Sequence, residues 1–224
     1  MRSRSLGRAV TSLTEGYHIE KTKYSASSAK QGECPGQEPL TLRMPEAEDA
    51  WQVTQLIAAS PPLDVNSAYC NLLQCTDFRD TCVVAERSGK LLGWISAYRP
   101  PATPDRLFVW QVAIHAEARG QGLALRMLEA LLDRPAAAGA KALTATITED
   151  NRASWALFRA CARHLGADMT SAPRFGRDAH FAGAHDTEWE VSIAPLPARP
   201  RQSGEPFHDV HAKAQHDCPR NGDL

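Results

Sequence analysis

The sequence has no excess of charge of either sign: 25 Lys and Arg stand against 26 Asp and Glu, a formal charge of -1. A chain so balanced projects no basic field, which argues against nucleic acid as its main partner. It has no apolar run of spanning length; the longest, such as Leu107 to Ile114, are strand-sized, so no membrane association is expected. Arg2, Arg4 and Arg8 are not followed by the apolar stretch that a secretory leader needs. Six cysteines (Cys34, Cys70, Cys75, Cys82, Cys161, Cys218) make no Cys-x-x-Cys pair. Reduced thiols and a cytoplasmic location are therefore expected rather than a disulfide framework. What remains, at 224 residues, is enough chain for one domain with a full core.

Composition divides the chain in three. Residues 1–37 are rich in Ser, Gly and Lys without sustained periodicity, and from Pro197 onward Pro, Arg, Gly and Asp collect with few large apolar residues. Both read as disordered tails, 1–37 and 197–224, around a folded unit at 38–196. His208, His211 and His216 with Cys218 lie in the second tail at a spacing that fits no common zinc pattern, so no metal is expected. Arg199 and Arg201 are too short a run for a nucleic-acid patch.

Within the unit, strand and helix patterns alternate. Leu40–Arg43 reads as a strand, and Pro45 as the first-turn residue of a helix with Glu46, Glu48 and Asp49 at its positive end. A second helix is expected near Asn66, where Asp64 and Ser67 offer capping chemistry. Thr81–Glu86 and Leu91–Tyr98, joined by Ser88-Gly89, make a hairpin. After Pro100, Pro101 and Pro104 comes the strand Leu107–Ile114. Leu123, Met127, Ala130 and Leu131 then share a helix face. Lys141–Ile147 is a further strand, and Asn151 or Asp150 caps a helix lined by Trp155, Phe158, Ala162 and Leu165. Cys161 lies on the side of Phe158 and reads as packing. Glu188–Ile193 is the last clear strand, and the order predicts a three-layer α/β domain around a mixed sheet.

Between the strand ending at Ile114 and the next helix lies Arg119-Gly120-Gln121-Gly122-Leu123-Ala124. Glycines at such a turn let backbone N–H groups converge on an anion, and the helix N-terminus adds its dipole. The segment fits neither the dinucleotide fingerprint nor the Walker pattern.

Arg119, Gly122 and Ala124, at Arg-x-x-Gly-x-Ala spacing after Val109–Ile114, resemble the acyl-CoA signature of the GNAT superfamily of N-acetyltransferases. Asn151 with Ser154, Leu157 and Phe158 resembles that superfamily's second signature. The resemblance implies a GNAT-like three-layer fold whose mixed, mostly antiparallel sheet splays between Phe108–Ile114 and Ala142–Thr148 to admit the thioester. It also implies that the backbone of Val112, Ala113 and Ile114 pairs with pantetheine. Gly120, Gln121, Gly122, Leu123 and Ala124 would then cradle the pyrophosphate, Arg119 would supply a rim charge, and Asn151 would contact the cofactor arm. Longer stretches are similar to the L-2,4-diaminobutyrate N(γ)-acetyltransferases of bacterial ectoine synthesis. They are Leu63–Ser67 with Tyr69 and Leu72-Leu73, Asp80–Glu86, Ser96–Pro101, Leu107–Ala113, and Phe181–Glu188 with Gly183 and His185. That family implies acetyl-CoA as co-substrate, L-2,4-diaminobutyrate as acceptor and a homodimer.

Such chemistry needs a group to take a proton from an alkyl ammonium before attack. Asp64 and Glu188 are the acidic candidates, with Glu188 nearer the chemistry and Asp64, with Asn66, nearer substrate anchoring. The alternative is that each carboxylate only caps a helix or meets solvent. An anionic pocket also holds the amine charged, which favours a hydrogen-bonded or solvated route to the base. His185 either orients Glu188 or substrate or is structural; Trp110 either walls the pocket or sits in the core. Many superfamily members carry a proton-donating tyrosine where Phe158 stands. Two rival functions remain at this level: acetylation of another small amine or a protein amine, and acyl-CoA binding without turnover.

Overall fold

The computed structural model describes residues 38–198. The predicted extension 1–37, the predicted tail beyond Ala198, and the tail's histidines and Cys218 lie outside the described residues. In chain order the elements are β1 (Thr41–Arg43), α1 (Ala50–Ala58), α2 (Ala68–Thr76), β2 (Val83–Arg87), β3 (Lys90–Tyr98), β4 (Arg106–Ile114) and α3 (Leu123–Leu132). They continue as β5 (Ala142–Thr148), α4 (Arg152–Leu165), β6 (Asp168–Phe175), α5 (Arg177–Phe181) and β7 (Glu188–Ala194).

The seven strands form one sheet in the order β1-β2-β3-β4-β5-β7-β6, antiparallel at every step except β4 to β5. Ser88 and Gly89, at φ 53° and 75°, make the two-residue turn between β2 and β3, with Arg87 opposite Lys90. Ser67 caps α2 by accepting from Cys70 N at 3.1 Å, and Asn151 caps α4 by accepting from Ser154 N at 3.1 Å. Pro45 departs from its predicted place: Glu46 is the cap, ahead of a 3-10 turn at Ala47–Asp49, so Pro45 stands outside the helical run. Asp49 is buried against Arg43 at 2.6 Å and accepts from Glu46 N at 2.7 Å, which makes it an anchor for β1 rather than a solvent-side dipole charge.

Two apolar clusters fill the layers on either side of the sheet. The first joins α3 and α4 to the sheet through Leu107, Val109, Leu128, Leu131, Phe158, Val191 and Ile193. The second sets α1 and α2 against Val84, Leu91, Trp94 and Ala113. Burying such side chains contributes about 1.5–3 kcal/mol each relative to exposure. Gly93 on β3 lets α3 approach, since a Cβ there would stand 2.6 Å from Met127 Sδ. Leu143, Ala145 and Ile147 of β5 point into the first cluster, so alternation sends Thr144 and Thr146 to the opposite face. By the same rule β7 sends Glu188, Glu190 and Ser192 there.

The event that shapes the site happens at Trp110. On one side β4 stops pairing with β5 after Val109 opposite Ala145. On the other, Ser96 opposes Gln111 and Ala97 opposes Val109, so Trp110 is an extra residue without a partner on β3. A bulge shifts the alternation by one. Leu107 and Val109 face the first cluster before it, and Val112 and Ile114 face that cluster after it. Gln111 and Ala113 thereby turn to the second face. The predicted splay of the two strands is present and begins at this residue.

Candidate active site

Gly122 caps α3 at φ 72°, and Gly120 sits at φ 73°. A Cβ at either position would meet no atom within 4 Å, so it is the left-handed backbone, not crowding, that asks for glycine. The helical bonding starts with Arg126 N donating to Gly122 O at 3.2 Å. The N–H groups of Leu123, Ala124 and Leu125 therefore begin the helix without intrahelical acceptors, an arrangement suited to phosphate. Arg119 is exposed, yet its Nε donates to Ile114 O at 2.9 Å, tying the turn to the end of β4 while its charge stays at the rim. Gln121 Nε2 donates to Glu117 O at 2.7 Å, so this side chain braces the turn from behind.

Next to the turn runs a groove of about 770 Å³ between the freed end of β4 and the start of α4. Val112 and Ile114 line one wall, Asn151, Ser154 and Leu157 the other, and Ser60–Leu63 close the end. Ala113 is buried in the second cluster, so only its backbone can serve the groove. Phe158 is 2 % exposed in the first cluster and Cys161 packs beside it.

One residue past Leu63 the loop presents Asp64, and there a second set of side chains gathers. His185 Nε2 lies 3.8 Å from Asp64 Oδ2 and 3.7 Å from Glu188 Oε1. His185 Nδ1 is 2.7 Å from Asp186 O, a contact that requires the proton on Nδ1 and leaves Nε2 turned to the two acids. Glu188 is 18 % exposed at its side chain and Asp64 83 %. Burial pushes the Glu188 carboxyl above the usual carboxylate range; a Thr146 hydrogen bond and the His185 charge pull it down, and Asp64 adds to the rise. The structure thus brings together Asp64, His185 and Glu188 from distant parts of the chain. Trp110 is 46 % exposed, which removes the reading as a core tryptophan.

Asn66, expected beside Asp64 at the substrate, is tied into a polar chain behind the loop. Its Nδ2 donates to Gln111 Oε1 at 2.8 Å, and Gln111 Nε2 donates to Asp64 O at 2.8 Å. Gln111 is 4 % exposed, and buried Asn71 continues inward by donating to Thr54 Oγ1 at 2.8 Å. This polar latch pins the 60–67 loop, which serves the groove with one half and the acids with the other. Sequence reading missed Gln111, because an amide in a strand carries no local sign that a bulge will bury it, and missed Asn71 and Thr54, which meet only when α1 and α2 pack together. Among the described residues no group of three or more His, Cys, Asp and Glu is placed to hold a metal.

A strand splayed from its parallel neighbour, a glycine cradle at the next helix and a groove between them define an acyl-CoA-dependent acetyltransferase. The chain belongs to the acetyltransferase (GNAT) family, whose model matches residues 45–162. Within that family it belongs with the L-2,4-diaminobutyric acid acetyltransferases. It is 49 % identical to the one from Methylotuvimicrobium alcaliphilum over 159 residues, 71 % of this chain and 92 % of the relative. It is 46 % identical to that of Halomonas elongata over 70 % of this chain and 82 % of the relative. The diaminobutyrate acetyltransferase EctA of Paenibacillus lautus, solved with L-2,4-diaminobutyric acid and coenzyme A, superposes with a TM-score of 0.69 at 37 % identity, over 74 % of this chain and 99 % of that one.

Proposed function

We infer that this chain transfers the acetyl group of acetyl-CoA to the γ-amino group of L-2,4-diaminobutyrate, giving N(γ)-acetyl-diaminobutyrate and CoA in ectoine synthesis. The observation that carries this is the Asp64–His185–Glu188 cluster, joined to the acyl-CoA groove by the single loop 60–64. The acceptor's γ-ammonium meets the acids where β4 leaves β5, and the thioester reaches the same opening from the cradle side. Holding the two partners there replaces an encounter by an effectively intramolecular step. Glu188 takes the proton, directly or through a water. The amine lone pair bonds to the thioester carbon; as the tetrahedral intermediate collapses the C–S bond breaks, the nitrogen gives its second proton to water, and water returns one to the thiolate, since Phe158 has none to give. His185 orients Glu188 through Nε2, with its own ring fixed by Asp186 O. Asp64 and Trp110 hold the acceptor, and Val112–Ile114, Arg119–Ala124 and Asn151 hold acetyl-CoA.

The catalytic unit is residues 38–196, working in the cytoplasm as a homodimer, which light scattering of the purified protein tests directly. Purified chain with acetyl-CoA and a panel of amines, read by thiol release, tests the reaction. Diaminobutyrate is expected to be turned over best. Preference for a peptide amine, or CoA binding without turnover, would each overturn the reading in a recognisable way.

Gln111 provides a separate check. Gln111→Leu removes the partner of the Asp64 carbonyl and of the part-buried Asn66 amide, a loss of about 0.5–1.5 kcal/mol per hydrogen bond that falls on the 60–67 loop. Michaelis constants for both substrates are expected to rise together, severalfold, with turnover at saturation little changed. An effect on turnover alone would refute the latch.

A further inference from the structure

We propose that Arg174 receives the α-carboxylate of the amino-acid acceptor, on the sheet face that carries Glu188; the assignment rests on the acceptor reading above and extends it. The sheet holds a further bulge on the edge strand β6, besides those at Leu92 and Trp110. Pro173 opposes Trp189 and Phe175 opposes Glu188, which leaves Arg174 as an extra residue without a partner on β7. Bulges re-aim side chains and gather beside active sites. Trp110 on β4 and Arg174 on β6 are bulge residues on strands that β5 and β7 separate.

Arg174 is aimed back over the sheet. Its Nη1 donates to Glu190 Oε2 at 2.8 Å on β7, and its guanidinium carbon lies 4.9 Å from the Phe175 ring and 5.5 Å from the Phe108 ring. Reaching Phe108 takes the side chain past β7 and β5 to β4. Two aromatic contacts and one carboxylate fix the plane of the guanidinium, and its remaining N–H donors suit a second, two-pronged carboxylate. Glu190 does not cancel this charge, because Arg106 Nη1 binds its other oxygen at 3.0 Å. Two guanidiniums against one carboxylate leave a surplus of one positive charge at this spot.

The spacing fits the acceptor. Phe175, on which Arg174 stacks, is the cross-strand partner of Glu188, and residues 188 and 190 are two steps apart on β7, about 7 Å. A four-carbon diamino acid laid along that line puts its terminal amine at Glu188 and its carboxylate at Arg174. A diamine without the carboxylate leaves the guanidinium unanswered, as does the side chain of a protein lysine. The positive spot thus selects a free amino acid and fixes which of its two amines faces the thioester.

The test compares L-2,4-diaminobutyrate with 1,3-diaminopropane, the same chain without the carboxylate, in wild type, Arg174→Gln and Arg174→Lys. Arg174→Gln is expected to raise KM for diaminobutyrate about 10- to 100-fold. KM for 1,3-diaminopropane and for acetyl-CoA should stay within about twofold. Arg174→Lys keeps the charge without the fork and is expected to fall between; it carries the test if the glutamine variant fails to fold. Unchanged KM for diaminobutyrate in a folded variant, or equal losses with both acceptors, would overturn the assignment. A wild-type enzyme that does not acetylate diaminobutyrate would instead overturn the acceptor reading, and the subsite with it.

Discussion

Replacing Glu188 by glutamine is expected to lower turnover with diaminobutyrate by about 10²- to 10⁴-fold, the range that loss of a general base commands, while the Kd for acetyl-CoA stays within about twofold. Glutamine keeps the length and shape of the side chain and can still meet Thr146, so folding and the groove are spared. It cannot accept a proton. The site treats this carboxyl unusually, since burial lifts it above the ordinary range and brings its proton affinity closer to that of a group working near neutrality. A base works in its ionised form, so activity falls as pH drops through the Glu188 value. The acid limb of kcat/KM is therefore expected above the ordinary glutamate value of about 4.3. The neighbours set the sign of further shifts. Asp64→Asn removes a charge that raises Glu188 and moves the limb to lower pH; His185→Gln removes one that lowers it and moves the limb up. Turnover of Glu188→Gln near the wild-type level, or a limb that ignores both neighbours, would remove Glu188 from the role of base.

The parts of this molecule written in short-range terms were legible in the sequence. The Ser88-Gly89 turn, the Ser67 and Asn151 caps and the glycines of the cradle each depend on a few adjacent residues, and each sits where its chemistry implies. What escaped depends on one residue more or less. Strict alternation along Leu107–Ala113 puts Leu107, Val109, Gln111 and Ala113 on one face, and the Trp110 bulge sends the last two to the other. The latch built on Gln111 follows from that shift and is invisible without it. Strand β6 was missed for a related reason. It is an edge strand, exposed along most of its length, with Pro173 inside it, so neither an alternating pattern nor an apolar run marks it. Arg174 lies in that strand. The acids are an intermediate case: the residue types were readable in the two segments, but only the fold puts His185 between Asp64 and Glu188.

Gly122→Val is expected to raise the Kd for acetyl-CoA at least about tenfold, which corresponds to about 1.4 kcal/mol, before it touches the chemistry at saturating cofactor. Two costs meet at this position. The backbone stands at φ 72°, a conformation that costs a β-branched residue about 1–3 kcal/mol. The open space above Gly122 is also where a pyrophosphate would approach the N–H groups at the start of α3, and valine's methyls would stand in it. The two costs separate by substitution. Gly122→Asn tolerates the left-handed backbone yet still projects a side chain over the turn, so it reports obstruction with little strain. Gly122→Ala adds strain with the smallest bulk. Calorimetric titration of CoA should rank affinity as glycine, then alanine and asparagine, then valine, while KM for diaminobutyrate at saturating acetyl-CoA is unmoved. Wild-type affinity in the valine variant would break the cradle assignment. A loss in valine and alanine that asparagine escapes would assign the glycine to backbone conformation alone. Either result bears only on the donor side, because Asp64, Glu188 and Arg174, the residues proposed for the acceptor, do not line the groove beside this turn.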